Sequence, residues 1–359
     1  MQIKERFRIA ILYAELAGYT IACLEALKKK YNAEILLVSW NKANVAPFEF
    51  TAMEYAHSVY SRENLTESGL SRIMQEFQPD AIFISGWMDR LYLKVAGKFK
   101  KKNIPVIAGI DGQWRGTVRQ HVASLFSSLI LHSGIDCVWV TGERQARFAR
   151  KLGYGGEHIW YGLYSCDWEK FSGIYRRRGP AKPGKFLYVG RLVNVKGIEH
   201  LITAYERYVQ VIDDPWELHI AGTGPLQNMI ENKSGIRYHG FLQPEKLPSL
   251  MEDCGVFILP SISEPWGVVI HEAVAAGMPV ICSDACGAGV HLVQDGYNGY
   301  IFQSGNVEHL TSRMIQMSSL DNTRFHRMGE ASFELSKQFT PDRWADTLIN
   351  GIERFKKNK

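Results

Sequence analysis

Two glutamates stand eight residues apart in the second half of the chain. Glu264 precedes Pro265, and Glu272 falls inside a helical pattern that begins near Trp266 and Gly267. The hydroxyl groups of a sugar or a ribose need hydrogen-bond acceptors, and charged carboxylates are strong ones. Either glutamate alone is most simply interpreted as a helix-dipole partner or a solvated residue. The pair in this setting predicts a site that binds sugar hydroxyls.

Two cations precede another helical pattern in the same half. Arg191 follows Gly190 at the end of the apolar run KFLYV, and Lys196 comes directly before the helix. Arginine offers a fork of donors, lysine offers a compact charge, and a helix N-terminus attracts anions. The arrangement predicts a diphosphate-binding site. Taken alone, however, the two residues also fit a surface loop with solvated cations.

A glycine turn follows the apolar run WELHI. Gly222 and Gly224 would let the backbone approach a ligand closely. A single G-x-G is weak evidence, and the segment lacks the G-x-G-x-x-G of a dinucleotide-binding fold. The turn therefore supports a nucleotide site only in combination with the charged residues.

Short β-rich runs alternate with helical patterns in both halves of the chain, which predicts an α/β fold of two Rossmann-like, doubly wound domains. Ligands of such sheets bind outside the carboxyl ends of the strands, where the residues above lie. Among the predicted helices are a long one over GTVRQHVASLFSSLIL and another over PLQNMIENK.

A length of 359 residues suits two domains with a cleft between them. The periodicity lapses between Asp167 and Lys185, where glycine, proline and arginine predominate, as in an inter-domain connection. We predict an N-terminal acceptor-side domain over 1–170, a C-terminal donor-binding domain over 185–338, and a helix over 339–359 that can pack back on the first domain.

The composition is that of a globular protein, with 46% hydrophobic and 22% charged residues and a net charge of +5. The cysteines show no zinc-binding spacing, and no nucleic-acid partner is required. Glu15 interrupts the first apolar run before a signal-peptide core is complete. We expect a cytoplasmic protein, with a peripheral position at the inner face of the membrane as an option.

That option depends on the basic run Lys94–Lys102, in which apolar residues separate the lysines. The run is interpreted either as a solvated helix end, which cations favour, or as a contact with a membrane surface. The first interpretation is preferred on the sequence.

Residues from about 186 to 304 resemble the donor-binding half of the retaining family 4 glycosyltransferases, which have the GT-B fold. GRLVNVKG, IAGTGP, YHGFL and the E-x7-E segment stand in that family's order and spacing. The resemblance implies that Arg191 and Lys196 hold the donor diphosphate, Glu272 the ribose and Glu264 the sugar near its reacting carbon. It also implies that Phe241 and Leu242 lie beside the base, and that Trp266 and Gly267 assist through their amides.

No D-x-D occurs in the sequence, so the carboxylate clamp that holds a metal in the other main glycosyltransferase fold is missing. Cationic side chains and a helix dipole would then offset the charge of the leaving phosphate. We therefore expect no metal and no other cofactor. The resemblance implies retention of the anomeric configuration during transfer of a hexose-type sugar to a saccharide or lipid-linked acceptor, in the synthesis of a cell-surface glycan.

The resemblance is weaker in the first half. Many relatives have a histidine where this chain has Asp111, whose carboxylate either orients sugar hydroxyls in catalysis or starts a turn before Gly112. Trp87, after the run DAIFI, either stacks on a sugar or fills the core. Gly18 stands where many relatives carry a glycine pair, and it permits a close backbone approach. Gly18 and Trp87 are the predicted acceptor side, and Asp111 is a predicted catalytic residue.

Two other functions fit the same fold. A sugar-nucleotide epimerase would use a similar donor site without an acceptor, and a non-catalytic relative would bind the nucleotide or glycan only. A nicotinamide dehydrogenase is a remote alternative, because the dinucleotide fingerprint is missing.

Overall fold

The computed structural model describes residues 6–40, 56–179, 182–231 and 233–357. The chain forms two units, one of Met1–Ser165 with Phe339–Lys359 and one of Cys166–Gln338. Each unit is a parallel sheet with helices, so the predicted α/β class is confirmed. No helix in the described ranges is both long enough and apolar enough to span a bilayer.

The sheet of the first unit has seven parallel strands in the order β3-β2-β1-β4-β5-β6-β7. Strands such as AIFI and CVWV are buried throughout, which explains their continuous apolar runs: a parallel sheet is covered on both faces. The strands are β1 (Arg8–Tyr13), β2 (Glu34–Ser39), β3 (Ser58–Ser61), β4 (Ala81–Ile84), β5 (Val106–Ile110), β6 (Cys137–Val140) and β7 (Ile159–Tyr161). The helices between them are α1 (Gly18–Tyr31), α2 (Glu67–Phe77), α3 (Arg90–Lys100), α4 (Val118–Leu125), α5 (Ser127–Ile130) and α6 (Glu143–Lys151).

The sheet of the second unit has six parallel strands in the order β10-β9-β8-β11-β12-β13. The order reverses at β8, so the loops after β8 and β11 flank the switch point at which such sheets bind ligands. The strands are β8 (Lys185–Val189), β9 (Glu217–Ala221), β10 (Ile236–Tyr238), β11 (Val256–Leu259), β12 (Val280–Ser283) and β13 (Gly299–Phe302). The helices are α7 (Trp168–Arg177), α8 (Ile198–Val211), α9 (Leu247–Asp253), α10 (Val268–Ala275), α11 (Gly289–Leu292), α12 (Val307–Ser318) and α13 (Asn322–Ser336).

The last helix, α14 (Pro341–Lys357), belongs to the first unit. Thr340 caps it by accepting the N–H of Arg343 at 3.3 Å. The indole of Trp344 stacks on Trp139, with 4.8 Å between ring centres, and its N–H donates to the carbonyl of Leu163. The end of the chain thus completes the core of the first unit.

Three sequence-based expectations about local structure differ from the structure. The supposed connection after Asp167 contains α7, which is part of the second unit. The helix expected over PLQNMIENK is reduced to a 3-10 turn at Gln227–Met229. The long helix expected over GTVRQHVASLFSSLIL is broken at Phe126 into α4 and α5.

Candidate active site

Backbone hydrogen bonds connect the loops at the carboxyl edge of the second sheet. The N–H of Leu192, after β8, donates to the carbonyl of Thr223, after β9, at 2.9 Å. The N–H of Gly222 donates to the carbonyl of Gly240, after β10, at 2.7 Å. Because main-chain atoms make these contacts, the relative positions of the loops do not depend on side-chain rotamers.

Both glycines of the turn after β9 are required by these contacts. Gly222 has a φ of +136°, and a Cβ atom there would lie 1.9 Å from the carbonyl oxygen of Gly190. At Gly224 a Cβ atom would lie 2.4 Å from the carbonyl oxygen of Leu192. Any side chain at either position would therefore push the two loops apart.

Lys196 and Glu264 form an ion pair between the loops after β8 and β11. The carboxylate of Glu264 is buried, and it also accepts a hydrogen bond from the hydroxyl of Ser261 at 3.2 Å. The N–H of Ile262 donates to the carbonyl of Val195 at 2.9 Å, which holds the two loops together beside the pair. The structure thus brings the predicted phosphate-binding lysine and the predicted sugar-binding glutamate into direct contact.

Arg191 is exposed at the same edge. Its carbonyl accepts a hydrogen bond of 2.8 Å from the hydroxyl of Tyr188. Burial raises the pKa of that hydroxyl, so Tyr188 stays a donor and fixes the backbone at Arg191. The guanidinium group is left on the solvent side, where an anion can reach it.

The loop that contains Glu264 continues into α10. Trp266 is buried, and Gly267 has a left-handed backbone conformation that opens the helix. The carbonyl of Glu264 accepts the N–H of Gly287 at 3.0 Å, and the carbonyl of Trp266 accepts the N–H of Ala288 at 2.8 Å. Backbone hydrogen bonds from the segment after β12 therefore hold this loop in place.

Glu272 lies on α10 and is partly exposed. Burial raises the pKa of its carboxyl group to about 7; the charge of Lys170 acts in the opposite direction, and that of Asp167 adds to the increase. Both neighbours come from the start of α7, which packs against α10. The carboxyl group forms no hydrogen bond within the described part of the chain. Nothing in the described part of the chain therefore stabilises the ionised form of this carboxyl group by a hydrogen bond. A pair of hydroxyl groups that donates to it would favour that form.

His271, the preceding residue, is fully buried and faces the protein interior. Its Nδ1 accepts the N–H of Cys166 at 3.0 Å, and its Nε2 is 2.9 Å from the carbonyl oxygen of Ser336. These contacts fix the neutral tautomer with the proton on Nε2. Burial lowers the pKa of the ring to about 4.

Phe241 and Leu242, the residues expected beside the base, are partly buried and follow directly on Gly240. Since the carbonyl of Gly240 accepts the N–H of Gly222, this segment is tied to the glycine turn. Nine of the ten predicted donor-side residues therefore lie on one chain of connected loops, and Glu272 lies on α10, the helix that continues from the loop after β11.

The first unit has its own cluster at the carboxyl edge of its sheet. Asp111, after β5, is exposed, and its carboxylate accepts a hydrogen bond of 3.1 Å from the hydroxyl of Tyr164. The ring of Tyr19 lies 5.2 Å from that of Tyr164. Burial, followed by the charge of Asp111, raises the pKa of Tyr19 to about 12, and burial raises the pKa of Tyr164 as well. Both tyrosines therefore remain hydrogen-bond donors beside the carboxylate, and the residues after Asp111 form no turn.

The other predicted acceptor-side residues have more ordinary surroundings. Gly18 is the first residue of α1. Trp87 packs against the hydrophobic core, with its ring 6.3 Å from that of Phe148. This position corresponds to the core-filling alternative for Trp87.

Sequence reasoning missed several residues at both edges. Tyr164 follows β7, so a search of every strand end would have found it. Lys170 and Asp167 were assigned to a connection, and only the packing of α7 against α10 brings them near Glu272. Ser261 gives no sequence signal beyond its proximity to Glu264.

Comparison with known protein families identifies the second unit. Residues 175–334 match the family described as glycosyl transferases group 1. The second unit carries a group 1 glycosyltransferase domain. The family resemblance inferred from the sequence is thus confirmed at this level, and the narrower assignment to family 4 stays a prediction. No curated protein sequence matches the chain.

Solved structures resemble the chain over nearly its whole length. Sucrose-phosphate synthase from Thermosynechococcus elongatus has a TM-score of 0.74 at 17% identity, covering 99% of this chain and 100% of its own. A glycosyltransferase from Rickettsia africae ESF-5 has a TM-score of 0.77 at 13% identity, with coverages of 99% and 100%. The Anabaena protein HepE in complex with UDP has a TM-score of 0.75 at 17% identity, with coverages of 97% and 100%. HepE is also solved in complex with UDP-glucose. These likenesses confirm the two-domain GT-B fold.

Proposed function

We propose that the chain is a metal-independent, retaining family 4 glycosyltransferase that moves a hexose-type sugar from a nucleoside diphosphate sugar to an acceptor. The observation that carries the proposal is the Lys196–Glu264 pair within five connected loops, after β8, β9, β10, β11 and β12. Such an edge offers cations, carboxylates and backbone amides in fixed positions, which are the groups that a sugar nucleotide needs.

The ion pair suggests how the donor is held. A diphosphate near Arg191 competes with the Glu264 carboxylate for the ammonium group of Lys196. When Lys196 turns to the phosphate, an oxygen of Glu264 becomes available to a sugar hydroxyl. Arg191 and Lys196 then offset the negative charge that develops on the leaving diphosphate, so no metal is needed for that role.

The remaining donor contacts follow from the same edge. Glu272 accepts hydrogen bonds from the ribose hydroxyls, and the segment of Phe241 and Leu242 borders the base. Amides of Trp266 and Gly267 assist at the phosphate or the sugar. The complexes of HepE with UDP and UDP-glucose make UDP-sugars the first donors to test.

We assign the acceptor side to the first unit, with Asp111 as its catalytic carboxylate. The acceptor is a saccharide or a lipid-linked sugar of cell-surface glycan synthesis, and the enzyme works in the cytoplasm. For peripheral membrane contact through Lys94–Lys102 the support is weak, because Lys94 and Lys98 both pair with Glu67, at 2.6 and 2.7 Å. Lys100 donates to the carbonyl oxygens of His132 and Ile135.

Retention requires attack on the face that the leaving group departs from. We propose that an oxygen of the departing diphosphate takes the proton of the acceptor hydroxyl while the new bond to the anomeric carbon forms. The pair of carboxylates that retaining glycosidases use is not needed in this scheme.

The test is a panel of UDP-, GDP- and ADP-sugars, followed by thermal shift and by proton NMR of the incubated donor, with magnesium or with EDTA. We expect one donor to stabilise the protein equally under both conditions, and an α-linked product from an α-linked donor. Lys196→Ala should abolish the shift, whereas Lys246→Ala, at an exposed lysine of the same unit, should leave it unchanged.

Three results would count against the proposal. A shift that needs magnesium contradicts metal independence. A new nucleotide sugar formed without an acceptor favours an epimerase. A donor-specific shift without product from any acceptor extract favours a binding protein.

A further inference from the structure

Helices α4 and α5 expose an apolar surface in the first unit. None of the eight residues of α4, all of them described, is buried. An ordinary surface helix of a globular protein turns its apolar side to the core. Here the exposed fractions are 81% for Val118, 48% for Val122, 75% for Leu125, 51% for Phe126, 74% for Leu129 and 57% for Ile130. We call these six residues the α4–α5 surface.

The spacing places the three apolar side chains of α4 on one side of that helix. Val118, Val122 and Leu125 follow the helical intervals of four and three residues, and Phe126, Leu129 and Ile130 continue the exposed apolar surface beyond α4. A capping box between Thr117 and Gln120 closes the N-terminus of α4. Local hydrogen bonds therefore hold the helix in shape while its apolar side faces solvent.

The charged residues within this segment have one sign. No acidic residue occurs from 112 to 135, whereas Arg115 and Arg119 are exposed there. Lys151 lies 5.9 Å from the ring centre of Trp114, whose edge meets His121 on α4. An apolar stripe with leucine and phenylalanine, bordered by arginine and lysine, has the chemistry of a helix that lies in a membrane interface.

The other end of the surface is basic as well. Lys100 donates to the carbonyl of His132, just after α5, at 2.6 Å, so the end of α3 lies beside the end of α5. The next two residues, Lys101 and Lys102, are exposed. Asp136, the nearest acidic residue in sequence beyond α5, is 3.3 Å from the ammonium group of Lys100 and is neutralised by it.

We propose that the α4–α5 surface binds the chain peripherally to a bilayer of anionic phospholipid. The six apolar side chains enter the interface between headgroups and acyl chains, and Arg115, Arg119 and Lys151 meet the phosphates. This surface is distinct from the basic run of α3, in which two lysines are already paired with Glu67. The inference does not depend on the donor site or on transfer activity.

A second copy of the chain is a poorer occupant. In a symmetric dimer formed through this surface, each arginine would face the same cationic border of the other copy. The like charges would oppose the burial of the apolar stripe, whereas lipid phosphates would complement it. A bilayer also tolerates the break between α4 and α5, since it makes no demand for residue-by-residue packing.

The test is co-sedimentation of the full chain, without any donor, with vesicles of phosphatidylcholine alone or mixed with phosphatidylglycerol. We expect binding to the anionic vesicles, weaker binding at high salt, and little binding to the neutral ones. The double variant Leu125→Ser/Leu129→Ser should lower the partition constant by at least about tenfold, because it removes apolar side chains from the interface.

The matched control is Val211→Ser, at a valine of α8 in the second unit that is 65% exposed. It should bind vesicles like the parent chain. Equal melting temperatures of both variants would show that folding is unaffected. The proposal is wrong if the parent chain does not bind anionic vesicles, or if the double variant binds them as the parent chain does. A concentration-dependent dimer that the double variant loses would also overturn it, in favour of a second copy.

Discussion

The carboxyl edges of the two sheets position their functional groups by different means. In the second unit, main chain contacts main chain, as where Gly222 lies against Gly190. In the first unit, side chains hold the loop after β5: Gln145 donates to the carbonyl of Asp111 at 3.1 Å, and Gln120 donates to the carbonyl of Gln113 at 2.7 Å. The turn after β9 thus demands glycine, whereas the loop after β5 depends on the side chains of Gln145 and Gln120.

That contrast would suit the donor and acceptor sides of the proposed glycosyl transfer. A nucleoside diphosphate is much the same in every donor, so a backbone frame can serve many relatives. Acceptors differ widely, and a loop held by side chains can adapt to them. We therefore expect substitutions at the second edge to affect activity more than comparable substitutions at the first.

The largest expected effect is that of Glu264→Gln. It removes the charge that pairs with Lys196 and replaces one acceptor oxygen of the carboxylate with an amide donor, so kcat should fall by about 10²- to 10³-fold. At the first edge, Asp111→Asn should cost only about tenfold, as expected for one acid-base or positioning group. Steady-state kinetics would give both values, with Glu330→Gln, at an exposed glutamate of α13, as the control. A larger loss in Asp111→Asn would reverse the comparison and place the chemistry on the first unit.

Gly222→Ala should be the next most damaging change. The added methyl group meets the Gly190 carbonyl at 1.9 Å, so the free energy of unfolding should fall by at least about 2 kcal/mol, and donor affinity with it. At Gly112 a Cβ atom finds its nearest neighbour, Phe148, at 3.9 Å. Gly112→Ala should therefore change stability by less than about 0.5 kcal/mol. Denaturant unfolding of both variants measures the difference, and similar losses would mean that the two edges are equally rigid.

Donor binding should depend on the ionisation of Glu272. Its pKa in the free protein is about 7, and ribose hydroxyls bind the ionised form. Donor affinity should therefore decrease as the pH falls below 7, by roughly tenfold per pH unit. Calorimetry in buffers of different ionisation enthalpy should detect a proton released on binding at pH 7. In Glu272→Gln the affinity should be weaker and constant across this range; a parent chain that shows no pH dependence would remove Glu272 from the ribose site.

The ionisation of Glu272 should also make the stability of the folded protein depend on pH. Its pKa in the folded protein lies above the ordinary value of 4.5, so folding takes up a proton between these values. The contribution of Glu272 to stability is thus intact below pH 4.5 and is lost as the pH rises towards 7. Glu272→Gln should melt higher than the parent chain at pH 8 and at nearly the same temperature at pH 4.

The smallest effect is expected for Tyr164→Phe in the first unit. The change removes one hydrogen bond to Asp111, worth about 0.5 to 1.5 kcal/mol, so kcat/KM for the acceptor should fall only a few-fold. The KM for the donor should stay constant. Tyr297→Phe, at a tyrosine that is 57% exposed in the second unit, is the matched control. A change in donor KM instead would mean that Tyr164 acts on the donor.

Much of the fold was predictable because parallel strands are buried on both faces. An uninterrupted apolar run such as AIFI in β4 can be recognised as a strand from its own residues, without knowledge of the strands that pair with it. Helix α7 was missed because the arginines at its C-terminal end pair with distant residues: Arg177, its last residue, with Glu252, and the following Arg178 with the carbonyls of Met251 and Cys254. Sequence alone does not show such partners.

Two helices were overestimated for local reasons. At PLQNMIENK, Ile230 is buried but Met229 is 36% exposed, so little apolar packing supports a full helix. At Phe126 the chain leaves the helical path, and the hydroxyl of Ser127 bonds to the carbonyl of Ser124 instead. Serine side chains compete with the helical backbone in this way.

The loop residues of the candidate site in the second unit were predictable because each follows a strand that the sequence reveals. Arg191, Lys196 and Glu264 sit in loops whose spacing is visible in the sequence. The partner of Asp111, in contrast, is 53 residues away, and the neighbours of Glu272 come from a helix that was not expected. Such pairings arise only when the strands are placed side by side.

The imidazole ring of His271 connects the two ends of the second unit. Cys166 is the first residue of that unit and Ser336 lies two residues before its last, and both are bonded to the same imidazole ring. Glu272 is the next residue on the helix. Tension on either end of the unit would therefore act on the turn of α10 that carries Glu272, the proposed ribose contact.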